Sequence, residues 1–328
     1  MKVLLTGANG FVGSHLLDSL CARAIPAVIL LRPTSHQEFI RAHLSDVEVR
    51  FGSVTEPASL PPALREVTHV IHCAGRTRAR RLDEFRETNH LGTRHLVAAV
   101  NLQADRIQRF VLISSLAASH PATPDAPARE EDPPQPVTEY GKTKLAAEQE
   151  VQAHCKTQFV ILRPPGVYGP RDTDFLQLYK AVRAGFCPRF GGGRQALSLV
   201  FVKDLAEVTV ACLTHPAAAG RTYNVAAPET VTNAALTLEI ARQMDRHPFS
   251  PPLPAALLWP ICLAQEALSL LTGKPGILSR QKYPELCAPG WVCDVRRLHQ
   301  ELGLSCPTLL RSGVAATLEW YREHHWLR

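Results

Sequence analysis

The segment Tyr140-Gly-Lys-Thr-Lys144 places a phenol and an ammonium four positions apart. The pattern from Lys142 to His154 predicts a helix, and on a helix positions 140 and 144 share one face. A cation beside a phenol favours the phenolate and lowers the tyrosine pKa. Moving that pKa from about 10 to about 7 requires roughly 4 kcal/mol of differential stabilisation. The pair therefore predicts a general acid or base that acts on an alcohol or a carbonyl.

Two serines, Ser114 and Ser115, end the strand-like run FVLI upstream of Tyr140. A hydroxyl at this place can donate a hydrogen bond to the substrate oxygen on which Tyr140 acts. Either serine fits this role. The order serine, tyrosine, lysine therefore predicts one catalytic set.

Three glycines, Gly7, Gly10 and Gly13, lie between a short apolar strand and a helix that begins at Phe11. Glycines at this spacing permit a tight turn, close backbone approach and close packing of the helix on the strand. The N-terminus of the helix then presents its N–H groups to a pyrophosphate. The sequence thus predicts a dinucleotide site, whose nicotinamide would add a second cation beside Tyr140.

The second predicted strand ends at Arg32, where a site that prefers NAD commonly has an acidic residue for the ribose hydroxyl. An arginine at this place suits a 2′-phosphate instead. We therefore expect NADP as the cofactor, with NAD as the alternative.

Strand-like and helix-like segments alternate through the first two-thirds of the chain. This alternation predicts an α/β fold, a Rossmann-type doubly wound parallel sheet with a smaller, mostly helical C-terminal substrate lobe. The predicted strands are Val3–Leu5, Ala27–Leu31, Val47–Phe51, His69–His72, Phe110–Ile113 and Phe159–Leu162. We expect a dinucleotide-binding domain over 1–165, a substrate lobe over 166–328, and segments near 197–226 that return to the sheet. The Pro-rich stretch 121–136 predicts a mobile loop.

Composition limits the classes of function. The formal net charge is +6, but the cations are scattered and the run Arg76–Arg81 is followed at once by acidic residues. This balance favours anionic small molecules or lipid headgroups over nucleic acid. Nine cysteines without a C-x-x-C pair predict reduced thiols and no metal site. The chain starts directly on a strand and its most apolar stretch is interrupted, so we expect a cytoplasmic protein without a signal peptide or a spanning helix.

In combination these residues resemble the extended short-chain dehydrogenase/reductase superfamily, of the NAD-dependent epimerase/dehydratase type. The matching motifs are TGANGFVG at 6–13, HCAG at 72–75, TNHLGT at 88–93, SS at 114–115, YGKTK at 140–144, RPPGVYGP at 163–170 and FVKDLA at 201–206. The resemblance implies that Tyr140 is the acid or base and that Ser115 donates to the substrate oxygen, with Ser114 in reserve. It implies that Lys144 binds the ribose and modulates Tyr140.

The same resemblance implies which residues contact the cofactor. They are Gly7, Gly10, Phe11, Val12, Gly13, Arg32, Ser53, Val54, Cys73, Ala74, Gly75, Asn89, Lys144, Pro164 and Val167. Asn89 would support the fourth strand and a relay water, and Pro164 and Val167 would line the nicotinamide pocket. The sequence departs from the family at Gly52-Ser53-Val54, where an aspartate usually follows the glycine near the adenine.

The C-terminal part bears on the substrate. Sugar-nucleotide enzymes of the family often carry an arginine where this chain has Leu197 and Ser198, although Arg189 and Arg194 are nearby. The stretches 252–286 and 291–327 resemble instead the 3-beta-hydroxysteroid dehydrogenases and the sterol-4-carboxylate 3-dehydrogenases. The first expectation is thus oxidation or reduction at the 3-position of a sterol- or terpenoid-like substrate, with loss of a 4-carboxylate as CO2 where one is present. The alternatives are a sugar-nucleotide epimerase, dehydratase or reductase and a dihydroflavonol-type carbonyl reductase.

Two further expectations concern partners. The segment 257–271 predicts a helix with a broad apolar face, formed by Leu257, Leu258, Ile261, Leu268 and Leu271, that either packs on its own lobe or touches a membrane surface. By analogy with the family, helices near 85–103 and 142–154 would pair across a homodimer.

Overall fold

The computed structural model describes residues 1–79, 81–272 and 280–327, the side chains of 267–272 excepted. The strands are β1 (Val3–Thr6), β2 (Ala27–Leu31), β3 (Glu48–Phe51), β4 (His69–His72), β5 (Arg109–Ile113), β6 (Phe159–Arg163), β7 (Gly166–Tyr168), β8 (Arg189–Phe190), β9 (Ala196–Phe201), β10 (Arg221–Asn224), β11 (Thr230–Thr232), β12 (Pro252–Leu253) and β13 (Gly290–Trp291). The helices are α1 (Phe11–Ala22), α2 (Leu60–Ala63), α3 (Leu82–Phe85), α4 (Gly92–Asn101), α5 (Glu139–His154), α6 (Phe175–Arg183), α7 (Val202–Ala211), α8 (Asn233–Gln243), α9 (Leu258–Thr272), α10 (Tyr283–Leu286), α11 (Arg296–Leu302) and α12 (Leu310–Glu323).

A seven-stranded parallel sheet forms the centre of the molecule, in the order β10-β6-β5-β4-β1-β2-β3. Most of its inner strands are continuous apolar runs because helices cover both faces. One face packs on α1 and α7, and the other packs on α2, α4 and α5. The predicted Rossmann-type α/β fold is confirmed. The chain order reverses beside β1, which places a crevice for a ligand at the carboxyl ends of β1 and β4.

Only one of the two segments expected to return to this sheet does so. β10 pairs with β6, with Arg221 opposite Val160. β9 pairs instead with β7, β11 and β13 in a second, small sheet. Leu199 and Phe201 of β9 are buried in the lobe, whereas Val200 and the helix α7 that follows pack on the central core.

The stretch 121–136, expected to be a mobile loop, is held against the lobe. Ala122 and Ala128 pair with Trp291 and Cys293, and Ala128 is completely buried. The backbone N–H of Ala128 donates to Val292 at 2.9 Å. The many prolines of the stretch 121–136 exclude a helix but leave enough backbone donors and acceptors for these contacts.

Helix α9 divides the apolar face predicted for 257–271 between the interior and the surface. Leu258 and Cys262 are buried, Ile261 is half-buried, and Leu257 is exposed. Leu268 and Leu271 lie outside the residues whose side chains are described. Within the described ranges, no helix combines the length and apolarity that a bilayer span requires.

Candidate active site

The turn between β1 and α1 leaves room for a ligand beside its backbone, but not for side chains at Gly7 and Gly13. Gly7 adopts a φ of 75°, and a Cβ there would lie 2.7 Å from the backbone nitrogen of Ala74. A Cβ on Gly13 would lie 2.0 Å from the carbonyl oxygen of Gly7. Phe11 and Val12 are half-buried in the first turn of α1, whose N–H groups have no partner within the helix. This cradle fits a pyrophosphate, and with it a dinucleotide cofactor.

A buried chain of hydrogen bonds supports the loop opposite this turn. The Ala74 N–H donates to Thr6 Oγ1 at 3.1 Å, and Thr6 Oγ1 lies 2.7 Å from His72 Nδ1. His72 Nε2 lies 3.0 Å from Thr93 Oγ1, which donates to the carbonyl of Asn89 at 2.6 Å. The Thr93 hydroxyl donates its proton to Asn89, so its oxygen can only accept from His72 Nε2. His72 therefore donates from Nε2 and accepts at Nδ1 from Thr6. Burial lowers the pKa of His72 to about 3, so the ring is neutral, as this chain requires.

Asn89 fixes the same loop from the other side. It lies in a π-helical turn, Arg86–Leu91, between α3 and α4. Its Oδ1 accepts from Arg76 N at 2.8 Å, and its Nδ2 donates to Arg76 O at 3.0 Å and to Thr143 Oγ1 at 3.1 Å. Asn89 thus positions the segment after Gly75 and links it to α5. Its contact with a relay water or cofactor stays a prediction.

Tyr140 and Lys144 lie in the first two turns of α5. The helix begins at Glu139, three residues earlier than expected, because the Thr138 side chain caps it by accepting from Gly141 N at 3.0 Å. Lys144 is buried and its Nζ donates to the Ile113 carbonyl at 2.6 Å. The helix thereby brings both residues to the carboxyl end of β5.

The structure distinguishes the two candidate serines. The Ser115 hydroxyl lies close enough to the Tyr140 phenol to lower the phenol pKa. Ser114 is buried and donates to Glu148, which forms a bidentate ion pair with Arg163 at 2.6 Å. Ser115 is therefore the serine brought to Tyr140, and Ser114 belongs to a structural network that sequence reasoning missed.

The pKa of Tyr140 is not lowered in the chain by itself. Burial raises it to about 12, against the effect of the Ser115 hydrogen bond. Burial also lowers the pKa of Lys144 to about 8. In the chain without cofactor, desolvation dominates the Tyr140 pKa, and the Lys144 ammonium donates to Ile113; activation by Lys144 together with a bound nicotinamide stays a prediction.

Cys73 lies close to both groups. Burial raises the pKa of its thiol to about 12, so it is a neutral neighbour of Lys144. It is a wall of the site rather than a nucleophile.

The remaining predicted cofactor residues lie at the ends of neighbouring strands. Arg32 is exposed directly after β2, and its N–H donates to Ser35 Oγ at 3.2 Å. Ser53 is buried, with its hydroxyl 2.8 Å from Thr55 Oγ1, and the Val54 carbonyl lies 3.0 Å from His95 Nδ1. The Ser53 hydroxyl is thus already engaged within its own turn.

Two predicted pocket residues follow β6. The Pro164 carbonyl accepts from Leu116 N at 2.8 Å, which joins the end of β6 to the loop that carries Ser115. Val167 is half-buried in β7 and packs on the central core. Pro164 therefore lies beside the loop that carries Ser115, and the role of both residues in a nicotinamide pocket stays a prediction.

Glu285 is a residue near Tyr140 that no sequence motif indicated. It lies in α10, and its carboxylate is close enough to Tyr140 to raise the phenol pKa. Burial raises the pKa of Glu285 itself. The Glu285 carbonyl accepts from Trp291 Nε1 at 3.0 Å and from Gln195 Nε2 at 2.9 Å. These bonds hold α10 in place near Tyr140.

Comparison with known proteins agrees with this geometry. Residues 3–226 match the model of the NAD dependent epimerase/dehydratase family. UDP-glucose 4-epimerase of Vibrio cholerae is 28% identical over 97% of the chain and 94% of that protein. Ceramide reductase of Caulobacter vibrioides is 28% identical over 99% of the chain and 96% of that protein. The human sterol-4-alpha-carboxylate 3-dehydrogenase, decarboxylating, is 26% identical over 63% of the chain and 56% of that protein.

Solved structures share the fold over the whole chain. The structure of MoeE5 in complex with UDP-glucose and NAD has a TM-score of 0.78 and 23% identity, and the match covers 99% of this chain and 100% of that one. Three observations lead to one assignment. They are the nucleotide cradle, the set of Ser115, Tyr140 and Lys144, and the family match over most of the chain. The chain belongs to the NAD-dependent epimerase/dehydratase family of extended short-chain dehydrogenase/reductases and is an NAD(P)-dependent enzyme of that family.

Proposed function

We propose that this enzyme interconverts a secondary hydroxyl and a ketone on a lipid-like substrate. The 3-beta-hydroxyl of a sterol or terpenoid skeleton is the first candidate, with loss of a 4-carboxylate as CO2 where the substrate carries one. A long-chain keto-lipid is the second candidate, because a ceramide reductase is similar over nearly the full length.

The observation that carries this proposal is the absence of a phosphate-binding arginine at position 198. Ser198 is buried, and its Oγ accepts from Cys293 N at 3.1 Å. Arg189 donates to the Ser250 carbonyl at 3.0 Å, and Arg194 is exposed. Within the described residues, the place where related sugar-nucleotide enzymes often bind a diphosphate therefore carries a neutral, occupied side chain.

The chain's own residues have distinct roles in this reaction. When bound, the nicotinamide supplies or accepts the hydride. Tyr140 exchanges a proton with the substrate oxygen, and Ser115 holds that oxygen through its hydroxyl. Lys144 binds the ribose, and its charge together with that of the oxidised nicotinamide favours the Tyr140 phenolate.

We propose NADP as the preferred dinucleotide and NAD as the alternative. Arg32 is exposed at the end of β2, and Ser35 lies against its backbone. A guanidinium and a hydroxyl here suit a 2′-phosphate.

Helices α4 and α5 are the proposed homodimer interface.

The test is cofactor reduction by the purified enzyme with NAD and NADP in parallel. The substrates are a 3-beta-hydroxysterol, a 4-carboxysterol and UDP-glucose, with a ceramide-type ketone assayed in the direction of cofactor oxidation. Turnover with a lipid that is lost in Tyr140→Phe while NADP still binds supports the proposal. Epimerisation of UDP-glucose with every lipid inert would replace it by the alternative, which rests on the similarity to the Vibrio cholerae epimerase.

A further inference from the structure

An exposed apolar surface lies along one edge of the C-terminal lobe. Its members are Phe186, Phe249, Leu257, Trp259 and Leu263, each at least 40% exposed. We call this set the apolar edge. Between 251 and 264 every exposed residue is apolar: Pro252, Pro254, Ala256, Leu257, Trp259, Pro260, Leu263 and Ala264. Such a run is larger than the scattered apolar residues of an ordinary surface.

Two segments build the apolar edge and are joined by backbone pairing. The Cys187 N–H donates to the Phe249 carbonyl at 3.0 Å, and the Phe249 N–H donates to Gly185 at 2.8 Å. Strand β8 then pairs with β12, with Arg189 opposite Pro252. The pairing places Phe186 beside Phe249, with ring centroids 6.3 Å apart.

Helix α9 continues the edge with one face inward and the other outward. Leu258 and Cys262 are buried in the lobe, whereas Trp259 and Leu263, one position further along the same turns, point to solvent. One face of α9 thus packs on its own lobe, and its second apolar face is exposed to solvent.

The two sequence segments that build the apolar edge carry cations and no acidic residue. From Phe175 to Arg194 the chain has four cations, Lys180, Arg183, Arg189 and Arg194, and no acidic residue. From Arg246 to Gln265 it again has no acidic residue. The next one, Glu266, forms an ion pair with Arg280 at 2.7 Å.

The edge also contacts α10, the helix that carries Glu285. The Trp259 ring packs edge-on against Tyr283, with centroids 5.1 Å apart. Tyr283 begins α10, whose Glu285 acts on Tyr140. A ligand on this edge therefore lies on the side of the molecule from which α10 reaches the site.

We infer that the apolar edge docks on an anionic membrane surface. Tryptophan, phenylalanine and leucine flanked by arginines match the acyl and headgroup layers of such a bilayer. A second copy of the chain fits less well, because a two-fold contact would oppose the same cations. The docking does not depend on which alcohol the enzyme oxidises.

The experiment is flotation of the full chain with phosphatidylcholine vesicles and with vesicles that also contain phosphatidylglycerol. The expected result is binding to the anionic vesicles that weakens with salt. The triple variant Leu257→Ser, Trp259→Ser, Leu263→Ser should reduce the partition coefficient at least tenfold. Its matched control is Leu238→Ser on α8, which is 70% exposed in the same lobe and should bind like the parent.

Charge and depth are tested separately. Arg246→Gln should weaken binding to anionic vesicles, whereas Arg322→Gln, exposed on α12, should not. Brominated lipids should quench tryptophan fluorescence in the parent and less in Trp259→Phe. Circular dichroism of each variant checks the fold.

Three results would overturn the inference. They are no binding to either vesicle, equal loss of binding in Leu238→Ser, and self-association through the edge, seen by sedimentation without lipid and abolished by the triple variant. No substrate is present, and Tyr140→Phe should float like the parent, so this outcome is independent of the proposed function.

Discussion

The Lys144 ammonium donates to the Ile113 carbonyl oxygen at 2.6 Å, so a buried cation on α5 is held by the last residue of β5. This contact sets the spacing between the helix that carries Tyr140 and the strand end that carries Ser115. Because Lys144 is buried, desolvation disfavours its charged form. The consequence is measurable as a dependence of stability on pH.

Replacing Lys144 by Met should flatten the pH dependence of the free energy of unfolding between about 8 and 10.5. Burial lowers the Lys144 pKa from 10.5 to about 8, so in this window the unfolded chain binds a proton that the folded chain does not. Stability therefore rises with pH there, by about 3 kcal/mol at most. Urea unfolding of the cofactor-free protein across this range measures the slope.

The matched control is Lys142→Met. Lys142 is exposed two residues earlier on the same helix and pairs with Glu139 at 2.7 Å. It should keep the slope of the parent. Equal slopes in Lys144→Met and the parent would contradict a buried, deprotonatable ammonium.

The sequence was sufficient for the parts of this site that depend on local patterns. The glycine turn, the strand ends and the pair Tyr140 and Lys144 follow from short spacings that the helix and the strand fix. Apolar runs likewise predicted the strands of the central sheet, because a parallel sheet is buried on both faces.

The sequence was insufficient where distant segments meet. The role of Ser114 depends on Glu148, 34 residues later, and the role of His72 depends on Thr6 and Thr93. Glu285 reaches Tyr140 only because Gln195 and Trp291 hold α10 in place. Strand β9 is an apolar run that suits either sheet, and only its pairing decides which one it joins.

Gly13→Ala should abolish cofactor binding and destabilise the protein by several kcal/mol. The new Cβ would lie 2.0 Å from the Gly7 carbonyl oxygen, so α1 must move away from the turn. Calorimetric titration with NADP and thermal unfolding measure the two effects. Gly220→Ala is the control, because an alanine is strained at the φ of 71° found there, while its new Cβ would meet nothing within 4 Å. That strain should cost about 1 kcal/mol and leave affinity unchanged.

Arg32→Ala should raise the KM for NADP about 10- to 100-fold and leave the KM for NAD nearly unchanged. A hydrogen bond to a charged group contributes about 1.5–3 kcal/mol, and only the 2′-phosphate of NADP accepts it here. Initial rates with each dinucleotide measure the ratio. Arg41→Ala, at the next exposed arginine along the chain, should change neither KM. A parallel loss for both cofactors would assign Arg32 to general structure.

Glu285→Gln should lower the pKa of Tyr140 and so shift the pH profile of alcohol oxidation to lower pH. The Glu285 carboxylate adds to the burial that raises the Tyr140 pKa to about 12, since a negative charge disfavours the phenolate. Removing the charge with a near-isosteric amide should therefore move the profile to lower pH. The rate of cofactor reduction is measured across the alkaline range, and tyrosinate absorbance of the cofactor-free enzyme reports the same group directly.

The matched control is Glu319→Gln, an exposed carboxylate on α12, which should leave the profile in place. The tyrosinate signal assigned to Tyr140 must also disappear in Tyr140→Phe. If Glu285→Gln changes KM and leaves the pH profile fixed, Glu285 contacts the substrate without acting on the phenol. A shift confined to Glu285→Gln instead makes α10 the element through which the C-terminal lobe sets the proton affinity of Tyr140.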